Sequence, residues 1–132
     1  MSKRSIFFAL SLVLIFVMTL FGCKSQNKNA AYLQISAKEA KALMESESGY
    51  VIIDARTEDE FSKGHIEGAI LIPEYEVANR AEGIIPDKDT LILVYCRSGR
   101  RSKIAAETLV ALGYTNVKEF GGIIDWPYET VK

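Results

Sequence analysis

Short apolar runs alternating with helix-capping signals predict an α/β domain with a mostly parallel sheet. Three observations carry that expectation. There are continuous apolar runs at 50–55 and 91–95. Two capping-box spacings each follow an apolar run, and one long amphipathic segment lies beyond the second continuous run.

The elements follow in order. Residues 32–35 make a short first strand. Ser36 with Glu39 three positions on is a capping box, and Ala40, Leu43 and Met44 supply the apolar face of a helix reaching about residue 47, ended by Gly49. The run 50–55 carries Asp54 near its end, as expected of a central strand that is buried on both faces and delivers polar residues at its carboxyl end. Thr57 with Glu60 repeats the capping-box spacing, so a short helix is expected over 57–63, stopped by Gly64. Residues 69–72 form a further strand, Pro73 breaks it, and 74–82 read as a polar helical turn. Residues 91–95 are the strongest strand signal, preceded by the turn-like Pro86, Asp87, Lys88 and Asp89 and leading directly into Cys96. From 102 to 112, Ile104, Ala105, Thr108, Leu109 and Leu112 fall on one helical face, with Gly113 as the C-cap. A last strand over 117–120 precedes Gly121 and Gly122.

A chain of 132 residues, 48% hydrophobic and 25% charged, can build one core and is too short for two. Its first residues stand apart from that core. Lys3 and Arg4 precede an uncharged apolar stretch at 5–22, the layout of a secretory signal peptide. Leu20-Phe21-Gly22-Cys23 resembles the lipobox of bacterial lipoproteins, with Phe21 bulkier than the usual residue and small Gly22 directly before the cysteine. The rival is an uncleaved anchor, because about 18 to 20 apolar residues can span a bilayer. The expected organisation is a signal peptide at 1–22, a lipidated Cys23 with a polar flexible tether to residue 31, and one domain at 32–132. The expected location is that of a membrane-anchored lipoprotein with its domain outside the cytoplasm, in a periplasm or at the cell surface. Loss of 1–22 removes two of the 16 basic residues and none of the 17 acidic ones, leaving a balance of −3. A mildly acidic domain is a poor binder of nucleic acid.

With Cys23 taken by lipid, Cys96 is the one thiol left in an exported protein, where thiols tend to be oxidised or paired. Cys96, Arg97, Ser98, Gly99, Arg100 and Arg101 form a six-residue loop between a buried strand and a helix expected to begin near Ser102. Backbone N–H groups of such a loop converge on one point, and the helix dipole adds positive potential there. Both favour the thiolate, so the Cys96 thiol should ionise below the free value of about 8.5. Arg97, Arg100 and Arg101 suit an anionic substrate, and Gly99 lets the backbone curl without a Cβ in the way. A cysteine at a strand end is more often a core residue, but a core would leave these three arginines unneutralised.

Four elements in this order resemble the rhodanese, or thiosulfate sulfurtransferase, family over 36–126. They are Val51-Ile52-Ile53-Asp54-Ala55-Arg56 with Glu60-Phe61, then Gly64-His65-Ile66-Glu67-Gly68-Ala69-Ile70, the loop from Cys96 to Arg101, and Gly121-Gly122 with Trp126. The resemblance implies a five-stranded, mainly parallel sheet flanked by helices on both faces. It also implies a transferase that carries sulfur as a persulfide on Cys96, with the loop residues 97–101 binding substrate and no metal or organic cofactor. The implied partners are a small anionic, thiosulfate-like sulfur donor and a thiol, cyanide or protein-thiol acceptor. Asp54, Arg56, Glu60 and His65 are expected to be structural supports, with Arg56 pairing Glu60, the Gly-His-Ile segment bracing the turn into the next strand, and Trp126 packing the C-terminal segment. Related thiol phosphatases place an arginine after the cysteine and five intervening residues; here that position is Ser102, so the resemblance favours sulfur over phosphate. The rivals are a non-catalytic interaction module and an exported thiol redox partner, the latter lacking a resolving cysteine in this chain.

Overall fold

The computed structural model describes residues 32–132; the expected signal peptide, Cys23 and the tether lie outside the described residues. Five strands pair in the order β1-β5-β4-β2-β3, every pair parallel. They are β1 (Leu33–Gln34), β2 (Val51–Asp54), β3 (Ala69–Leu71), β4 (Ile92–Cys96) and β5 (Val117–Gly122). The helices are α1 (Ala37–Ser46), α2 (Glu58–Ser62), α3 (Val77–Ile84) and α4 (Arg100–Ala111). None is long and apolar enough to cross a membrane.

Both capping boxes form. Ser36 Oγ accepts from the Glu39 N–H at 3.1 Å while the Glu39 carboxylate accepts from the Ser36 N–H at 2.7 Å, and Thr57 and Glu60 repeat the exchange at the head of α2. Side chains of successive strand residues point to opposite faces, which divides the core in two. Ile53 and Val94 pack with Val77 and Ala81 of α3 and Ala105, Ala106 and Leu109 of α4. Ile52 and Leu93 pack on the other face with Ala40 of α1, Ile66, Phe120 and Trp126. The central strand β4 is buried along its whole length, so it can expose a reactive group only at its end.

Three expectations change. Residues 74–82 are not a polar turn: a 3-10 turn at Glu74–Glu76 leads into α3, whose Val77 and Ala81, one helical turn apart, are fully buried. The polar residues between them hid that narrow apolar stripe. The last helix begins at Arg100 rather than near Ser102, and its inward face is Ser102, Ala105, Ala106 and Leu109, with Ile104 exposed. The expected stripe was one position out of phase because Ser102 is a polar residue that the fold buries. Strand β5 continues through Gly121 and Gly122, and its register against β4 shifts between Val94↔Glu119 and Cys96↔Gly122, so two residues oppose Tyr95 alone.

Candidate active site: the loop from Cys96 to Arg101

At the carboxyl end of β4 the chain turns through residues 97–99 and enters α4 at Arg100, so Arg100 and Arg101 belong to the first helical turn. Gly99 is the residue before that helix and has φ +106°, a left-handed conformation that a side chain disfavours. That conformation turns the Gly99 N–H onto Cys96 Sγ at 3.0 Å, and Ser102 Oγ lies 3.3 Å from the same sulfur. Gly122 pairs with Cys96 across the sheet, and a Cβ on it would overlap the Arg97 carbonyl and the Ser98 nitrogen. The Ile124 N–H also donates to the Arg97 carbonyl, at 3.3 Å. Glycine at 122 is what lets the loop rest on β5.

Cys96 is 1% exposed. Burial pushes its thiol up, but hydrogen bonds to the thiolate, from the Ser102 hydroxyl when its proton faces the sulfur and from the backbone N–H groups of Ser102, Gly99 and Ser98, outweigh burial and leave it below its ordinary value. The dipole of α4 acts in the same direction. Arg97, Ser98 and Arg100 are exposed around this sulfur. Among the described residues neither Arg97 nor Arg100 has a carboxylate partner.

Arg101 is placed differently from its two neighbours. Its guanidinium grips Glu60 of α2 in two parallel bonds, Nη1 to Oε2 at 2.7 Å and Nη2 to Oε1 at 2.8 Å. Arg101 pulls the Glu60 carboxyl down to about 2, with the Thr57 N–H and hydroxyl helping and burial opposing. The expected Arg56–Glu60 pair therefore does not form. Arg56 instead binds Asp54, with Nη2 to Oδ2 at 2.7 Å and its backbone and side-chain Nε groups donating to Oδ1 at 2.9 and 3.0 Å. Asp54 is fully buried and two residues away, so it claims the guanidinium, while Glu60 faces α4.

Asp54 also accepts from the Tyr95 hydroxyl at 2.6 Å, and that hydroxyl in turn accepts from the Ile66 N–H at 3.1 Å. Burial and then the Asp54 charge push the Tyr95 phenol up. Arg56 Nη2 donates to the Gly64 carbonyl at 2.7 Å, so this network holds the 64–66 turn onto the ends of β2 and β4. His65 stacks on Phe61 with 3.7 Å between ring centroids, its Nδ1 lies 3.0 Å from the Phe61 carbonyl, and its backbone bridges Val131. Trp126 packs against Phe120 in the second core layer. None of these groups hydrogen-bonds to Cys96, whose sulfur contacts the Ser102 hydroxyl and the Gly99 N–H. Among the described residues no cluster of three potential metal-ligating side chains occurs.

Two residues were missed on the sequence. Ser102 is wholly buried, and its hydroxyl lies 2.6 Å from Glu119 Oε1; Glu119 itself is 2% exposed. A signal for Glu119 was available, since alternation along 117–120 puts it on the same inward face as Val117.

A buried cysteine at the carboxyl end of the central strand of a five-stranded parallel sheet, at a tight turn into a helix, is the architecture of a rhodanese domain. The chain belongs to the rhodanese-like domain family, whose model matches residues 36–127. It is 41% identical over 80 residues to the thiosulfate sulfurtransferase PspE of Escherichia coli K12, covering 61% of this chain and 77% of that protein. It is 34% identical over 110 residues to thiosulfate sulfurtransferase 18 of Arabidopsis thaliana, covering 74% and 79%. Among solved structures, a rhodanese with anions from E. coli superposes with a TM-score of 0.60 at 40% identity, over 63% of this chain and 98% of that one.

Proposed function

We propose that this protein is an enzyme, a rhodanese-type sulfurtransferase that moves sulfane sulfur from thiosulfate or a similar anionic donor to a thiophilic acceptor through a persulfide on Cys96. The Cys96 thiolate attacks the outer sulfur of the donor, the donor S–S bond breaks, and sulfite departs with the bonding electron pair. The outer persulfide sulfur carries the negative charge at the mouth of the loop, beside the head of α4 and the exposed Arg97 and Arg100. A cyanide ion, thiol or protein thiol then attacks that outer sulfur, and the Cys96 thiolate leaves. No step calls for a metal or an organic cofactor.

The observation that most supports this reading is the Gly99 N–H bond to Cys96 Sγ at the entry to α4, which favours a charged sulfur without supplying a proton. The names of the relatives support thiosulfate as a donor to test first. Turnover of thiosulfate with cyanide, read as thiocyanate release, tests the proposal directly. The wild-type chain is expected to turn over and Cys96→Ser is expected to be inactive; a serine variant that retains activity would sink the persulfide route.

The sequence before the domain supports a further reading: export, lipid attachment at Cys23, and a domain held at a membrane outside the cytoplasm. Cys23→Ser should then release the protein from the membrane fraction of a bacterial host, and its unchanged retention would favour the uncleaved anchor.

A further inference from the structure

The buried Ser102–Glu119 couple beneath the loop has no part in the displacement chemistry just described. Ser102 has one hydroxyl proton and several acceptors for it. Glu119 Oε1 lies at 2.6 Å, the Gly99 carbonyl at 3.0 Å, the Gly121 carbonyl at 3.3 Å and Cys96 Sγ at 3.3 Å. The carboxylate is both the nearest and the charged acceptor, and charge-assisted bonds are the stronger ones. Glu119 Oε1 is itself anchored by the Gly121 N–H at 2.8 Å. While Glu119 is ionised, Ser102 therefore turns its proton away from the sulfur and presents a lone pair to it. The Cys96 S–H can donate to that lone pair, which favours the neutral thiol.

We propose that Glu119 is a positioning residue that sets the protonation of Cys96 through the single hydroxyl proton of Ser102. Loss of the thiol proton to solvent creates a second buried anion, and thiolate and carboxylate then compete for one donor. The Ser102 hydroxyl can help lower the thiol only when its proton leaves Glu119 for the sulfur. Glu119 thus withholds from the resting cysteine a stabilisation that the loop N–H groups supply unconditionally.

The other charges around the pair are bound to partners, exposed to solvent or on the opposite face of the strand. Arg101 of α4 feels the Cys96 charge but is bound to Glu60 of α2. Asp54 at the end of β2 is held by Arg56 and Tyr95. Arg97 of the loop, and Arg100 and Lys103 of α4, are exposed. Lys118 precedes Glu119 on β5 and points to the opposite face by strand alternation. Strand β1 offers only Leu33 and Gln34, neither of which titrates.

The consequence for sulfur transfer rests on the function proposed above, whereas the protonation claim can be read without any turnover. The measurement is the rate of iodoacetamide alkylation against pH in the whole chain, followed on the peptide that carries Cys96 because Cys23 is also present. Glu119→Gln keeps an oxygen to accept from Ser102 and Gly121 but removes the charge, so the thiolate becomes the only anion competing for the proton. The midpoint should fall by about one pH unit. In a Ser102→Ala background the same substitution should move it by less than about half as much, since no hydroxyl remains to be released. Equal shifts in both backgrounds would show a direct field effect of the carboxylate and overturn the proposal, as would no shift or an upward one. Ser102→Ala alone provides a second test that does not require the glutamine variant to fold. It should leave the midpoint within about 0.3 units of wild type, and a rise of about one unit would mean that Ser102 already donates to the sulfur.

Discussion

Strands β2 and β4 end side by side, with Asp54 opposite Tyr95 and Cys96 one residue further on, and both ends bury a group that ionises. At the end of β2 the charge is closed in: Asp54 takes donors from Arg56 and Tyr95, and Arg56 also binds the Gly64 carbonyl. At the end of β4 the sulfur takes a backbone N–H from Gly99, and beside it two arginines stay exposed without a carboxylate partner among the described residues. The difference supports reading one buried ionisable group as scaffold and its neighbour as the proposed site of chemistry. A network whose donors and acceptors are matched stabilises only itself, while donors that converge on one atom, with positive charge to spare, stabilise an anion brought from outside.

Substitutions at the two strand ends should separate activity from stability. The largest effect on activity is expected from Cys96→Ser, with sulfur transfer falling by at least about a thousandfold and the melting temperature changing by only a few degrees. Comparable transfer rates in the two proteins would remove Cys96 from the mechanism. The largest effect on stability is expected from Arg56→Ala, which leaves the Asp54 carboxylate buried without its ion-pair partner and should cost about 3–5 kcal/mol. That loss corresponds to a melting temperature lower by more than about ten degrees, read by thermal denaturation, with Cys96 alkylation unchanged below the transition. A variant that kept its stability and lost alkylation would reverse the roles assigned to the two ends.

Gly122→Ala sharpens the contrast, because its Cβ would meet the loop and not the Asp54 network. Its cost should be about 1–3 kcal/mol by chemical denaturation, accompanied by loss of transfer as the Arg97–Ser98 peptide is displaced. The smallest effect belongs to the Glu60–Arg101 pair, which is partly exposed. The folded Glu60 carboxyl lies at about 2, below its ordinary value of 4.5, so its contribution is fully present above about pH 4.5 and is lost as pH falls through about 2. Glu60→Gln should therefore be less stable than wild type by about 1 kcal/mol at neutral pH, with the gap closing as acid is added. A gap that stays constant down to pH 2 would mean that the ion pair contributes nothing.

Periodicity and capping rules made the layered α/β fold legible in the sequence, because Ser36/Glu39, Thr57/Glu60 and the apolar strands act locally. The cysteine loop was legible for the same reason: its residues are consecutive. What escaped depended on partners distant in sequence. Glu60 binds Arg101 and not Arg56, and Ser102 reaches Glu119, because α2, α4 and β5 meet only once the sheet is assembled. Helix α3 was read as a polar turn because two small buried positions, Val77 and Ala81, were outweighed by exposed neighbours. Gly122 was recognised as part of a motif, but its physical necessity lies in the Arg97 carbonyl packed against it.

The central claim is that Cys96 carries the transferred sulfur. The most direct test is the mass of the Cys96-bearing peptide after exposure of the protein to thiosulfate, measured before and after addition of a reductant. A gain of one sulfur atom on that peptide, removed by the reductant and by cyanide, is the predicted result. An unmodified Cys96 in folded protein that still releases thiocyanate would contradict it.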